Sequence, residues 1–280
     1  MSEISNSTIN YHTYSLHEGD TLLTQVAKVI CILQPRGLTV AGFSEHGDLL
    51  MVHYGDYSQT LPTWILDFYE HRFLDEPLLF NPDNVIAVFV VSDKYLLIPD
   101  ELYDEGEAVK WLNKLFFVEG NEVLSCHHLQ ENSSKYMFAY PGTMKSLIGR
   151  YFTRARVLPL AMYQFFKPYR SDHSIQCTIT QEHAVATLYK NRSLHWHQVF
   201  EYQNGEDIAY QLKHACRQFR INPDTAELNS TVAYRGLNYV LNDLCQYFPQ
   251  TREFDQTTAT NNRQWAATLS LLQQLYSCAL

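Results

Sequence analysis

His195 and His197 stand two residues apart, a spacing at which side chains able to ligate a metal can act together. On a β-strand, residues i and i+2 share a face, so both imidazoles would point the same way, as pairs of zinc ligands often do. The run Cys126-His127-His128 offers ligands in series, of which a strand would bring only Cys126 and His128 to one face. Neither group has a recognisable third and fourth ligand. With 12 histidines in the chain such pairs arise by chance, and no metal site is expected. Acyl-transfer chemistry needs a nucleophile on a strained turn with a base in reach, and there is no Gly-x-Ser-x-Gly. Cys31, Cys126, Cys177, Cys216, Cys245 and Cys278 form no C-x-x-C pair. Cys31 and Cys177 lie in apolar strand patterns, Cys216 and Cys245 on apolar helix faces. They read as buried thiols of a reducing compartment, not as a disulfide framework. Arg150, Arg154 and Arg156 make the one notable basic cluster, read as a solvated helix end.

The elements that must position these groups belong to a chain able to bury a large core. It has 280 residues, 46% hydrophobic, 14% aromatic with 19 tyrosines, and only 18% charged. A net charge of −9 argues against sequence-independent nucleic-acid binding, which needs a basic surface to displace counterions. Met1 to Tyr14 is polar without an apolar h-region, and no run reaches the ~18 apolar residues that span a bilayer. A soluble cytoplasmic protein without signal peptide or integral membrane segment is therefore expected.

Three strands joined by tight turns and followed by an amphipathic helix occur twice. The clearer copy runs from His173 to Arg220. In it Ile175, Cys177 and Ile179 alternate on one face, as do Ala184, Ala186 and Leu188, then Leu194, Trp196 and Phe200. Asn204 offers an N-cap with Asp207 at the capping-box position, and Ile208, Leu212, Ala215 and Phe219 line the helix. The other copy spans Val29 to Leu74: strands Val29–Gln34, Leu38–Ser44 and Leu49–Tyr54, then a helix over Leu61–Leu74 with Trp64, Ile65, Phe68 and Phe73 on its stripe. Val85 to Val91 predicts a strand buried on both faces. Between the copies come a strand at Tyr95–Ile98, a helix over Ala108–Phe117, a hairpin of Val123–Leu129 with Lys135–Tyr140, and helices at Thr143–Phe152 and Leu160–Phe166. After them come a strand at Ala226–Tyr234, a helix over Leu237–Phe248, a short strand at Thr251–Phe254 and a last helix over Asn262–Cys278. That helix could bind a partner, although packing on its own sheet is the favoured reading.

The order β-β-β-α-β-α-β-α is that of a ribonuclease-H-like lobe, and two such lobes in one chain resemble the actin-like superfamily of sugar kinases, heat-shock ATPases and bacterial actin homologues. Phe200, Tyr202, Glu206, Asp207 and Tyr210 resemble the F-x-Y-x-x-x-E-D-x-x-Y string of a bacterial family known only as a domain of unknown function. That family has members of about this length, suspected relatives of actin-like pilus and secretion assembly proteins. Gln198 stands where the family would have Asn. The resemblance implies an α/β fold of two ribonuclease-H-like lobes in an actin-like ATPase arrangement, mixed sheets with flanking helices. The first lobe, residues 1–170, would carry an N-terminal extension and an extra hairpin; the second would be residues 171–280.

It also implies where phosphate-binding turns should lie. The first hairpin of the first lobe reads Gln34-Pro35-Arg36-Gly37, keeping a glycine but no acid. The matching turn of the second lobe, Thr180-Gln181-Glu182-His183, has no glycine. The strand-to-helix turn Ala233-Tyr234-Arg235-Gly236-Leu237 keeps one of the two glycines expected beside an adenosine. Gly236, Arg235 and Gly37 are the candidate residues of a residual inter-lobe cleft. The acids of a ribonuclease-type two-metal site are absent from both first strands. The expectation is a non-catalytic binding or scaffolding protein without cofactor or catalytic residues, its partner another protein. The alternative is a nucleotide-binding or ATP-hydrolysing member with divergent loops.

Overall fold

The computed structural model describes residues 11–15, 20–56, 66–166, 171–251 and 263–280. In chain order come β1 Tyr11–Ser15, β2 Lys28–Gln34, β3 Gly37–Phe43, β4 Leu49–Asp56, α1 Leu66–Asp75 and β5 Val85–Val90. Then follow β6 Tyr95–Pro99, α2 Glu105–Leu115, β7 Glu122–Leu129, β8 Ser134–Pro141, α3 Gly142–Tyr151, β9 Arg156–Pro159 and the one-turn α4 Tyr163–Phe166. The chain continues through β10 His173–Ile179, β11 His183–Lys190, β12 Ser193–Glu201, α5 Gly205–Gln218, β13 Glu227–Val232, α6 Asn238–Cys245 and α7 Ala266–Ala279. Residues 61–65 of the predicted first helix, including Trp64 and Ile65 of its stripe, lie outside the described residues, as does 252–254 of the predicted short strand, whose Thr251 makes one parallel bridge to Leu228.

These elements form two compact units. The first takes the described residues up to Val90 with Thr143–Leu158 and Ala279–Leu280; the second takes Val91–Gly142 and Pro159–Cys278. The first unit holds a six-stranded sheet in the order β1-β4-β3-β2-β5-β9. β2, β3 and β4 form an antiparallel meander, and β5 closes against β2 in parallel. Cys31, Ile32 and Leu33 of β2 and Val88, Phe89 and Val90 of β5 are all buried, as the unbroken apolar runs require of strands covered on both sides. β9 went unforeseen: Arg156-Val157-Leu158-Pro159 is four residues long and ends in proline.

The second unit repeats the plan. Its four-stranded sheet runs β12-β11-β10-β13, with β10 antiparallel to β11 and parallel to β13. The β11–β12 turn has Asn191 and Arg192 at φ 51° and 64°, the pair of left-handed residues a two-residue hairpin needs. On one face of this sheet Ile175, Cys177, Ile179, Ala184, Ala186 and Leu188 pack with Ile208, Leu212 and Cys216 of α5 and Val240 and Leu244 of α6. α5 starts where predicted. Asn204 Oδ1 accepts the Asp207 N–H at 3.0 Å, and Asp207 Oδ2 accepts the Gln203 N–H at 2.9 Å. Gly205 lies so close to α6 that a Cβ there would stand 2.5 Å from the Asp243 Cβ and 2.7 Å from the Val240 carbonyl oxygen.

Also in the second unit is a three-stranded antiparallel sheet in the order β6-β8-β7, backed by α2. Ile98, Ala108, Leu112, Met137 and Ala139 give it a small core of its own. Asp104 caps α2, its Oδ1 accepting the Glu107 N–H at 2.9 Å, and Glu105 and Glu107 stand in the first turn, where acids complement the helix dipole.

Candidate functional site

In sheets with a parallel pair, ligands bind beyond the carboxyl ends of the strands. In the second unit that place is where β10 and β13 finish together, the Ala233 N–H donating to the Ile179 carbonyl at 2.9 Å. Two turns meet there. The Thr180–His183 turn is closed on itself: the Thr180 N–H and hydroxyl both donate to the His183 carbonyl at 2.8 Å, and the His183 N–H returns to Thr180 Oγ1 at 3.1 Å. The Thr180 carbonyl accepts the Tyr202 hydroxyl at 2.5 Å. Burial, with Tyr239 and Tyr234 nearby, pushes the Tyr202 phenol well up, so it stays a neutral donor.

The second turn carries two of the candidate residues. Tyr234 caps a short 3₁₀ turn over Arg235–Leu237, and its ring lies against the Cα of Gly236, where a Cβ would collide with it. The Arg235 guanidinium sits 5.6 Å from the centroid of the Trp265 ring, a cation–π contact on a buried indole. Arg235 and Gly236 are both exposed. The third candidate, Gly37, belongs to the first unit and opens β3. A Cβ on it would stand 2.9 Å from the Tyr54 hydroxyl. In both turns the missing side chain leaves room for a tyrosine of the protein itself.

The other face of the four-stranded sheet bears a polar layer that sequence reasoning missed. Gln164 of α4 donates from Nε2 to Thr178 Oγ1 (3.1 Å) and to the Val185 carbonyl (2.9 Å). Its Oε1 accepts the Thr187 hydroxyl at 2.5 Å. Having donated its only proton, Thr187 accepts from His197 Nδ1 at 3.0 Å, which leaves Nε2 bare to accept from the Tyr136 hydroxyl at 3.3 Å. Tyr163 bonds Thr178 (2.5 Å) and Thr231 (3.0 Å), and the Tyr189 hydroxyl donates to the Gln164 carbonyl at 2.8 Å. Part of His197 reaches solvent, but its ring lies 4.9 to 5.7 Å from the rings of Tyr95, Phe165 and Tyr136. That enclosure pushes its pKa down to about 3. The signal was present in β10, where Gln176 and Thr178 alternate with the apolar Ile175, Cys177 and Ile179.

The histidine pair does not act as a pair. The β11–β12 register shifts between Leu188 and Tyr189, so Leu188 faces Trp196 while Tyr189 faces Leu194, and His195 falls at the irregularity. Its ring meets Phe219, which packs on the apolar side, at 5.6 Å, whereas His197 joins the polar layer. The expected common face is corrected by that bulge. Among the described residues no three His, Cys, Asp or Glu side chains gather as a metal would require. Cys31, Cys177, Cys216 and Cys278 are buried, but Cys126 is exposed. The arginines of the basic cluster are engaged: Arg150 with Glu70 at 2.8 Å, Arg154 with Asp83 at 3.6 Å, Arg156 with the Ala279 carbonyl at 3.4 Å. No helix among the described residues is long and apolar enough to cross a membrane.

A meander closed by a parallel fourth strand, built twice in one chain, is the plan of the actin-like fold, and solved structures bear this out. A protein of unknown function with the actin-like ATPase fold from Bacteroides thetaiotaomicron VPI-5482 superposes with a TM-score of 0.70 at 16% identity, covering 91% of this chain and 99% of its own. The PilM–PilN type IV pilus biogenesis complex gives 0.54 at 12% identity, again covering 91% and 99%. This chain has the actin-like ATPase fold. No curated protein matches it in sequence. Residues 21–251 match the family described as Protein of unknown function (DUF3822), and the chain belongs to that family.

Proposed function

We propose that this chain is a non-catalytic binding or scaffolding protein on the actin-like fold, acting through another protein in the cytoplasm. The observation that supports this most is the filling of the carboxyl ends of β10 and β13 by the chain's own groups. Tyr202 occupies the Thr180 carbonyl, and the Tyr234 ring fills the space beside the Gly236 Cα. The PilM–PilN structure is a complex of two proteins, which favours a protein as the partner here. Buried thiols at Cys31, Cys177 and Cys216 agree with a reducing compartment. The lobes are proposed as residues 1–170 and 171–280, limits of duplication that differ from the compact units because the β6–β8–β7 sheet, which lies within residues 1–170, belongs to the second compact unit. A second reading, a residual nucleotide site at Arg235 and Gly236, is favoured by the exposure of both residues.

Thermal denaturation with millimolar ATP, ADP or GTP and magnesium separates the two. A ligand at a hundred times its dissociation constant stabilises the folded state by about 2.7 kcal/mol. No shift is expected. A shift abolished by Gly236→Trp, or ATP hydrolysis lost in that variant, would replace the scaffold reading with the nucleotide one.

A further inference from the structure

β12 is an edge strand of the four-stranded sheet, and among the described residues its outer side has no strand partner. An open edge of this kind presents N–H and C=O groups in a row and is normally blunted. Here one side chain takes the strand's place. The Tyr95 hydroxyl donates to the His197 carbonyl at 2.9 Å, beside the Val199 N–H. A single phenol thus donates to an outward-facing carbonyl of the edge strand, as the amide of a neighbouring strand would. Behind it Tyr136 stacks on Tyr95 (centroids 5.4 Å, planes 1° apart) and its hydroxyl reaches His197 Nε2 at 3.3 Å.

Tyr95 and Tyr136 both belong to the β6–β8–β7 sheet. Residues 91–142 have their own small core around Leu112 and Met137. Their entry is tied internally, Ser92 Oγ donating to the Ala139 carbonyl at 2.6 Å, and so is their exit, the Gly142 N–H donating to the Asn121 carbonyl at 2.7 Å. The segment therefore keeps its internal hydrogen bonds and core whether or not it lies on β12.

We propose that residues 91–142 are a latched module, held by the Tyr95 and Tyr136 hydroxyls on the edge of β12, and that it undocks as a body while the four-stranded sheet stays folded. The device is independent of the binding function proposed above. Opening uncovers the His197 carbonyl and Val199 amide and frees the His197 ring, and leaves β7, β8 and α2 intact.

Native-state hydrogen exchange followed at single amides tests it. In the unmodified protein at low denaturant, the Val199 amide should exchange through an opening with a smaller denaturant dependence than the amides of β10 and β11. In Tyr95→Phe/Tyr136→Phe, which keeps both rings, Val199 exchange should rise roughly five- to tenfold or more, the scale of one to two lost hydrogen bonds, while Cys177 and Ala186 keep their protection. Val199 exchanging only with global unfolding in the unmodified protein would overturn the latch. So would protection unchanged in the variant, or lost from β10 and β11 together with Val199.

Discussion

At the scale of single residues, the chain settles several polar groups by making each hydrogen-bond role depend on its neighbour. Gln164 uses both amide protons, which turns its oxygen toward Thr187 and in turn fixes the proton of His197 on Nδ1. A ring so held stays neutral in the folded protein, with its pKa near 3, while it titrates near 6.5 once unfolded. Between those values the unfolded chain binds the extra proton, so this contribution to stability is whole above about pH 6.5 and fades as pH falls toward 3. Urea denaturation from pH 7.5 to 4 should therefore show the unmodified protein losing stability faster than His197→Gln; parallel pH profiles would contradict the assignment. Gly205 is a second such point. A methyl group there meets the α6 backbone, not a movable side chain, so Gly205→Ala should cost about 2 kcal/mol and lower Tm by roughly 5 °C in calorimetry.

At the scale of elements, what was readable in the sequence was what repeats locally. The two-residue alternation in β10 and β11, and the Asn204–Asp207 cap before the stripe of Ile208 and Leu212, are short-range patterns, and the strands and helix formed where expected. The cap gives a direct test: Asn204→Ala should destabilise by about 1 kcal/mol in equilibrium unfolding, with α5 otherwise retained in far-UV circular dichroism. What was not readable depends on partners distant in sequence. Gln164 sits on a single helical turn, and only the folded chain reveals that Thr178 and Thr187 meet it. The common face expected of His195 and His197 assumed an unbroken strand, and one register shift undid it. The candidate turns were located correctly as turns. Nothing in the letters Tyr234 or Tyr54 announced that those rings would lie over Gly236 and Gly37.

At the scale of the whole molecule, both units follow one scheme: a local meander, then a parallel strand arriving from far along the chain. β2 pairs with β5, and β10 with β13, after a helix-bearing excursion. This sets an order for folding. Neighbouring strands of a meander meet after short loop closures, whereas the parallel ladder must close a loop of roughly fifty residues, and long-range contacts are entropically late. In the second unit, Leu188 of β11 should thus be ordered at the rate-limiting barrier, and Val232 of β13 only after it. Leu188→Ala should slow refolding, while Val232→Ala, costing about 2 kcal/mol, should leave refolding nearly unchanged and speed unfolding, as read from stopped-flow chevrons. Each parallel ladder is then a kinetic lock. The meander sets how fast a unit forms, and the single returning strand sets how long it lasts.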